Sequence, residues 1–213
     1  MPLSRRSVLT GGACTLAALV AGRTLATQGK LAPTSPQTRG PFYPVARRLD
    51  QDADLTLVRG HRGRARGEII NVLGRVLDGE RRPIPHAKLD LWQANAAGRY
   101  AHPGDNSSAP LDPDFQGAAL FSADAEGRFR FRTVKPGRYP GRVPHLHFAV
   151  SSGRQRVITQ MYFPDEAGNQ DDDVLKRIPA GPLRDRLIAR FSSPIGDDAL
   201  ITALQWDVVL APG

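Results

Sequence analysis

The stretch Arg128-Phe129-Arg130-Phe131-Arg132 exchanges charge and aromatic ring at every second position. Side chains two apart share a face of an extended strand, so the rings go to one side and the guanidinium groups to the other. A helix would scatter both kinds over its surface. A half-buried strand needs a sheet around it. Residues 69–77 and 88–93 supply two β-rich runs, separated by Asp78-Gly79 and two prolines, which favour turns for steric reasons. Residues 145–151, 157–163 and 205–210 add three more. Leu183, Leu187 and Phe191, at i, i+4 and i+8, predict one short amphipathic helix. The 18 prolines and 21 glycines lie between short apolar runs of a 213-residue chain, which suits one domain with many turns. The expected fold is all-β: a β-sandwich with one or two short helices and irregular arms.

Three segments follow from this reading. Residues 68–213 form the sandwich, and residues 27–67 an irregular arm around Arg39-Gly40-Pro41-Phe42-Tyr43-Pro44. Residues 1–26 have the plan of an export signal: Arg5 and Arg6, a weakly apolar stretch over residues 8–20, then Thr24-Leu25-Ala26, where small residues suit signal peptidase. The apolar stretch is shorter than the roughly 20 residues that span a bilayer, so no stable membrane anchor is expected. Cys14 follows Gly12-Ala13 without a leucine three residues before it, which argues against lipidation. Cys14 is also the only cysteine, so no intrachain disulfide is available and, once the leader is removed, no thiolate ligand.

The formal charge of +8 drops by three, to +5, when Arg5, Arg6 and Arg23 leave with the leader. The remaining arginines alternate with acidic and apolar residues and form no basic block with interleaved aromatics. A solvated surface is expected, and no nucleic-acid partner.

His145-Leu146-His147 places two imidazoles on one face of a strand, within reach of one metal ion. A His-x-His pair alone is more often a surface or hydrogen-bonded pair than a metal site. Its surroundings are more specific: Tyr100 ends Trp92-Gln93-Ala94-Asn95-Ala96-Ala97-Gly98-Arg99-Tyr100, Tyr139 ends Lys135-Pro136-Gly137-Arg138-Tyr139, and Arg142-Val143-Pro144 precedes the histidines. Together with residues 38–43, 112–115 and 159–163, these segments closely resemble the intradiol ring-cleavage dioxygenases, in particular the protocatechuate 3,4-dioxygenase-like branch. Ser4-Arg5-Arg6-Ser7-Val8-Leu9 resembles the twin-arginine export motif, with Val8 where phenylalanine is more usual.

The resemblance implies a non-haem Fe(III) ion, one per chain, on Tyr100, Tyr139, His145 and His147. Phenolate and imidazole suit that ion, and a phenol with an ordinary pKa of about 10 needs a strongly positive centre to stay ionised. It further implies that Arg142 stabilises charge on the substrate, that Tyr139 leaves the metal and takes a proton, and that Gln160 stands beside the site. Gly40, Pro41, Phe42 and Trp92 would line the pocket; the plainer alternatives are a bare turn for the first three, ordinary core packing for Trp92, and for Gln160 the pairing of a buried backbone group. The implied partners are a catechol-type diol and O2, the twin-arginine translocase during export, and identical or related chains in an oligomer; the location would be periplasmic or secreted. Ala101 stands where protocatechuate enzymes often carry a basic residue, and only six positions separate Tyr139 from His145, so the particular catechol stays open. A non-catalytic, exported transthyretin-like module would share the fold and lack the four donors. An extradiol enzyme would need Fe(II) on two histidines and a carboxylate.

Overall fold

The computed structural model describes residues 29–46, 50, 52–194, 198 and 200–213, so the expected export signal lies outside the described residues. Two sheets face each other. One contains β1 (Ile69–Leu77), β4 (Arg128–Val134), β7 (Arg190–Ser192), β8 (Thr202–Gln205) and β9 (Val208–Val209), in the order β4-β1-β8-β7 with β9 also on β1. The other has the order β3-β2-β5-β6, from β2 (Lys88–Trp92), β3 (Ala118–Ser122), β5 (His145–Ser152) and β6 (Gln155–Tyr162). This is the expected β-sandwich.

The alternating segment behaves as its pattern requires. Phe129 and Phe131 are buried while Arg128 and Arg130 are exposed. Across from them Leu89, Leu91, Leu146, Phe148 and Val150 close the core, with Phe131 and Phe148 edge to face at 5.8 Å. Gly74 is the tight point of this layer. Strand β1 runs parallel to β8 as far as Leu73↔Gln205 and to β9 from Val76↔Val208. Between them the Trp206 N–H donates to the Leu73 carbonyl, and a Cβ on Gly74 would collide with the Trp206 carbonyl.

Three expectations change. The i, i+4, i+8 series does not make a helix across residues 183–191: α1 covers only Pro182–Asp185. Beyond it the backbone is drawn into extended pairing, since Ala189 N donates to Tyr162 O and Phe191 pairs with Leu204. Leu187 is buried, but Leu183 and Phe191 are 44% and 61% exposed, so the spacing marks no common face. The run over residues 205–210 is broken at Trp206 into the ends of β8 and β9. Strands β3 and β7 were not expected, because neither has an alternating pattern of apolar residues.

Leu146 and Phe148 point into the core, so His145 and His147 must point out of it. Even so, both histidines are buried, at 2% exposure each. The outer face of this sheet is therefore covered. Part of the cover is the arm, which is bound to the sandwich by Thr34 N to Val209 O, Gln37 N to Ile158 O, and the Thr159 hydroxyl to Ser35 O. Among the described residues, no helix is long and apolar enough to cross a membrane.

Candidate metal centre

Register sets out the floor of the site. Trp92 pairs with His147 and His147 with Gln160, so the three form one row across β2, β5 and β6; His145 and Tyr162 form the next. The Trp92 indole stacks on the His147 ring at 5.1 Å and 11°. The His145 Nδ1–H donates to the Val143 carbonyl at 2.6 Å, which leaves Nε2 as the lone-pair nitrogen. That Nε2 lies 3.2 Å from Nε2 of His147 and 3.1 Å from the Tyr139 hydroxyl.

Two loops bring the phenols. After β2, the Asn95 side chain accepts from Ala97 N and Arg99 N and donates to the Pro110 carbonyl, winding a tight turn. Tyr100 N is then held by Asp105 at 2.7 Å. The loop after β4 presses on this turn: Gly137 N donates to Asn95 O, and a Cβ on Gly98 (φ +81°) would collide with the Arg138 carbonyl. Only two facing glycines let these backbones approach so closely. The Tyr100 and Tyr139 rings consequently meet edge to face at 5.7 Å.

Burial favours the neutral form of all four side chains. Burial, then the neighbouring Tyr139, push the Tyr100 phenol well up. Burial also raises Tyr139, against the Arg142 guanidinium. Burial, helped by Arg142, holds His145 down to about 3, so its imidazole is neutral at ordinary pH. His147 is lowered well below its usual value by burial and by His145. The Tyr100 hydroxyl is buried without a well-aligned hydrogen-bond partner. Two neutral imidazoles with converging lone pairs and two phenols form a donor set that a hard, highly charged cation fits. Among the described residues, no group of three or more His, Cys, Asp or Glu converges.

Arg142 stands at the edge. Its Nη2 donates to Gln160 Oε1 at 2.5 Å and to the Tyr162 hydroxyl at 3.3 Å, and Nη1 lies 3.5 Å from the Tyr139 oxygen. Gln160 in turn donates to the Thr38 carbonyl at 2.9 Å, so it serves the arm and the guanidinium together. Gly40 (φ +70°) packs its backbone on His147, where a Cβ would sit 3.2 Å from Cε1. Phe42 lies 4.9 Å from Tyr100 and 6.4 Å from Tyr139, while Pro41 is exposed at the turn between them. Phe42, Trp92, Tyr100, His102, Leu111 and Phe115 border a cavity of about 320 Å³. A second cavity opens beside Tyr139 and Arg142.

The residues named from the sequence thus come together, with Pro41 the most peripheral. Two others were missed. The Tyr162 hydroxyl joins Gln37, Gln160 and Arg142. Asp172, 2% exposed, accepts from Arg142 Nε at 2.9 Å. Its place within Asp171-Asp172-Asp173 reads as a solvated acidic loop, and nothing in the sequence marks the middle residue as buried.

A family model described as Dioxygenase matches residues 38–212. The beta chain of protocatechuate 3,4-dioxygenase from Burkholderia cepacia is 43% identical over 168 residues, which is 75% of this chain and 71% of that one. The hydroxyquinol 1,2-dioxygenase of Rhizobium sp. is 33% identical over 128 residues, but the match covers only 42% of its length. Among solved structures, the dioxygenase domain of a dioxygenase carbohydrate-binding protein fusion from Streptomyces sp. SirexAA-E aligns with a TM-score of 0.64 at 27% identity, covering 85% of this chain and 100% of that domain.

Proposed function

Since the chain belongs to this family of intradiol dioxygenases, we propose that it inserts both atoms of O2 into a catechol-type diol, opening the ring between the two hydroxyl-bearing carbons to give a cis,cis-muconate. The observation that carries the reading is the convergence of two phenols and two imidazoles beside one guanidinium. Tyr100, Tyr139, His145 and His147 would hold a single non-haem Fe(III). Bound there, ferric iron supplies the positive charge that keeps phenol oxygens ionised and draws electron density from the diol, making its ring reactive toward O2.

The side chains divide the remaining work. Tyr139, the donor phenol within reach of Arg142 Nη1, takes a proton from the incoming diol on its oxygen. Nη1 of Arg142, fixed in place and always charged, stabilises negative charge that develops on the ring oxygen and carbon. Gln160 keeps that guanidinium from swinging away, and Gly40 and Phe42 of the arm exclude water above the imidazoles.

We also assign residues 1–26 to a twin-arginine signal and the mature protein to the periplasm or the exterior. Similarity to both the beta chain and the alpha chain of protocatechuate 3,4-dioxygenase, 43% and 34% identical, supports assembly with copies of itself or with a related chain.

Iron-loaded protein tested against catechol, protocatechuate, hydroxyquinol and methoxylated catechols, following O2 uptake and product spectra, checks the activity. We expect about one iron per chain, a red-brown colour from phenolate-to-iron charge transfer, and intradiol products from at least one diol. A colourless protein that prefers zinc, or extradiol products, would sink the proposal.

A further inference from the structure

We propose that Asp172 is a positioning residue that holds the Arg142 guanidinium and the His145 imidazole in one fixed relation. Its Oδ2 accepts two hydrogen bonds, from Arg142 Nε at 2.9 Å and from the Val143 backbone N–H at 3.0 Å. The carbonyl of that same Val143 accepts the His145 Nδ1–H. One carboxylate oxygen therefore sets the guanidinium directly and the imidazole through a single residue.

The carboxylate is itself immobilised. Its Oδ1 accepts from Val174 N at 3.0 Å and Leu175 N at 2.9 Å, and its backbone carbonyl accepts from Lys176 N. Leu175 is wholly buried in a cluster with Val143, Tyr162 and Leu187, so the turn that carries Asp172 cannot drift from the strand it serves. An exposed ion pair would contribute little to such precision. Here the Asp172 side chain is 0% exposed and that of Arg142 11%, and all four hydrogen bonds to the carboxylate come from fixed donors.

The geometry also explains why the pair is made through Nε. That edge of the guanidinium faces away from Tyr139, which leaves Nη1 on the side of the phenol and Nη2 on Gln160. A carboxylate gripping both terminal nitrogens would withdraw them from the reacting side. Acidic neighbours Asp171 and Asp173 are exposed and make no equivalent contact.

The anchoring can be read without turnover, whereas its catalytic consequence rests on the dioxygenase function proposed above. In iron-free, 15N-labelled protein, the Arg142 Nε–H and His145 Nδ1–H should exchange slowly with water, and Asp172→Asn should speed both by about tenfold or more. In iron-loaded protein the same change should lower kcat on a saturating diol by about 100-fold with KM little altered, and should add less than about threefold to Arg142→Ala. Unchanged exchange at either proton overturns the shared anchor, whatever the turnover. Full additivity with Arg142→Ala also overturns it, since that marks a role in stability alone. If Asp172→Asn does not fold, Asp172→Glu keeps the charge and displaces it by one methylene; wild-type kcat in that variant overturns the proposal, and a tenfold or greater loss supports it. Protected protons in a wild-type protein that turns over no catechol would refute the dioxygenase reading and leave the anchor standing.

Discussion

Tyr100 and Tyr139 carry the same phenol into different surroundings. Tyr139 has His145 Nε2 at 3.1 Å and Arg142 within reach, whereas the Tyr100 hydroxyl is sealed in without a well-aligned partner. Tyr139→Phe is expected to keep iron and part of the colour yet to form its catechol complex about 100-fold more slowly, because one proton acceptor is gone. Tyr100→Phe should instead change the spectrum of the complex itself. Anaerobic stopped-flow mixing reads both, and a wild-type rate in Tyr139→Phe removes the proton-accepting role. Asp172 supplies a prediction in acid. Burial raises its carboxyl, but Leu175 N–H, Arg142 and Val143 N–H more than offset that and hold it below the usual 3.8. A carboxyl lowered on folding stabilises above its unfolded value and loses that contribution as pH falls through the folded one. Acid titration of Tm should therefore be flatter below about pH 4 in Asp172→Asn than in the wild type. At this scale the sequence was legible where motifs were long, as around both tyrosines, and silent where one acid in a run of three turns inward.

Strands announced themselves when one face was core and the other solvent. Strand β4 is the clear case, and β5, buried on both faces up to Val150, was legible from its apolar run and the paired histidines. The false helix at Leu183, Leu187 and Phe191 shows the reverse: three apolar residues fit a helical period, but pairing with β8 and Tyr162 decided the backbone. The break at Trp206 was not legible, because it depends on Gly74, distant in sequence. A methyl group there has only the Trp206 carbonyl and the Phe129 ring to move into. Gly74→Ala is thus expected to destabilise by about 3 kcal/mol or more, measured by denaturant unfolding, although the site lies on the other sheet. A loss under about 1 kcal/mol would mean that β1 and the Trp206 segment part easily.

For the molecule as a whole, the proposed division into leader, arm and sandwich makes export testable. Changing Arg5 and Arg6 together to lysine should leave an uncleaved precursor inside the cell, because the proposed twin-arginine receptor reads that pair. Normal export of this variant would assign the leader to another route. What the sequence kept hidden at this scale is how the arm is used. Its prolines and glycines mark it as irregular, but not that Thr34, Gln37 and Ser35 tie it across both sheets.

That attachment sets a manufacturing tolerance. The first described backbone bond of the arm is Leu31 N to Gly79 O, and Gly40 and Phe42 follow as the lid over His147 and Tyr100. If the proposed leader is trimmed anywhere before Leu31, every described backbone bond of the arm remains and the finished part is within specification. A cut past Phe42 would strip the cover from His147 and Tyr100 and leave the strands beneath them in place, a sound casting delivered without its cover.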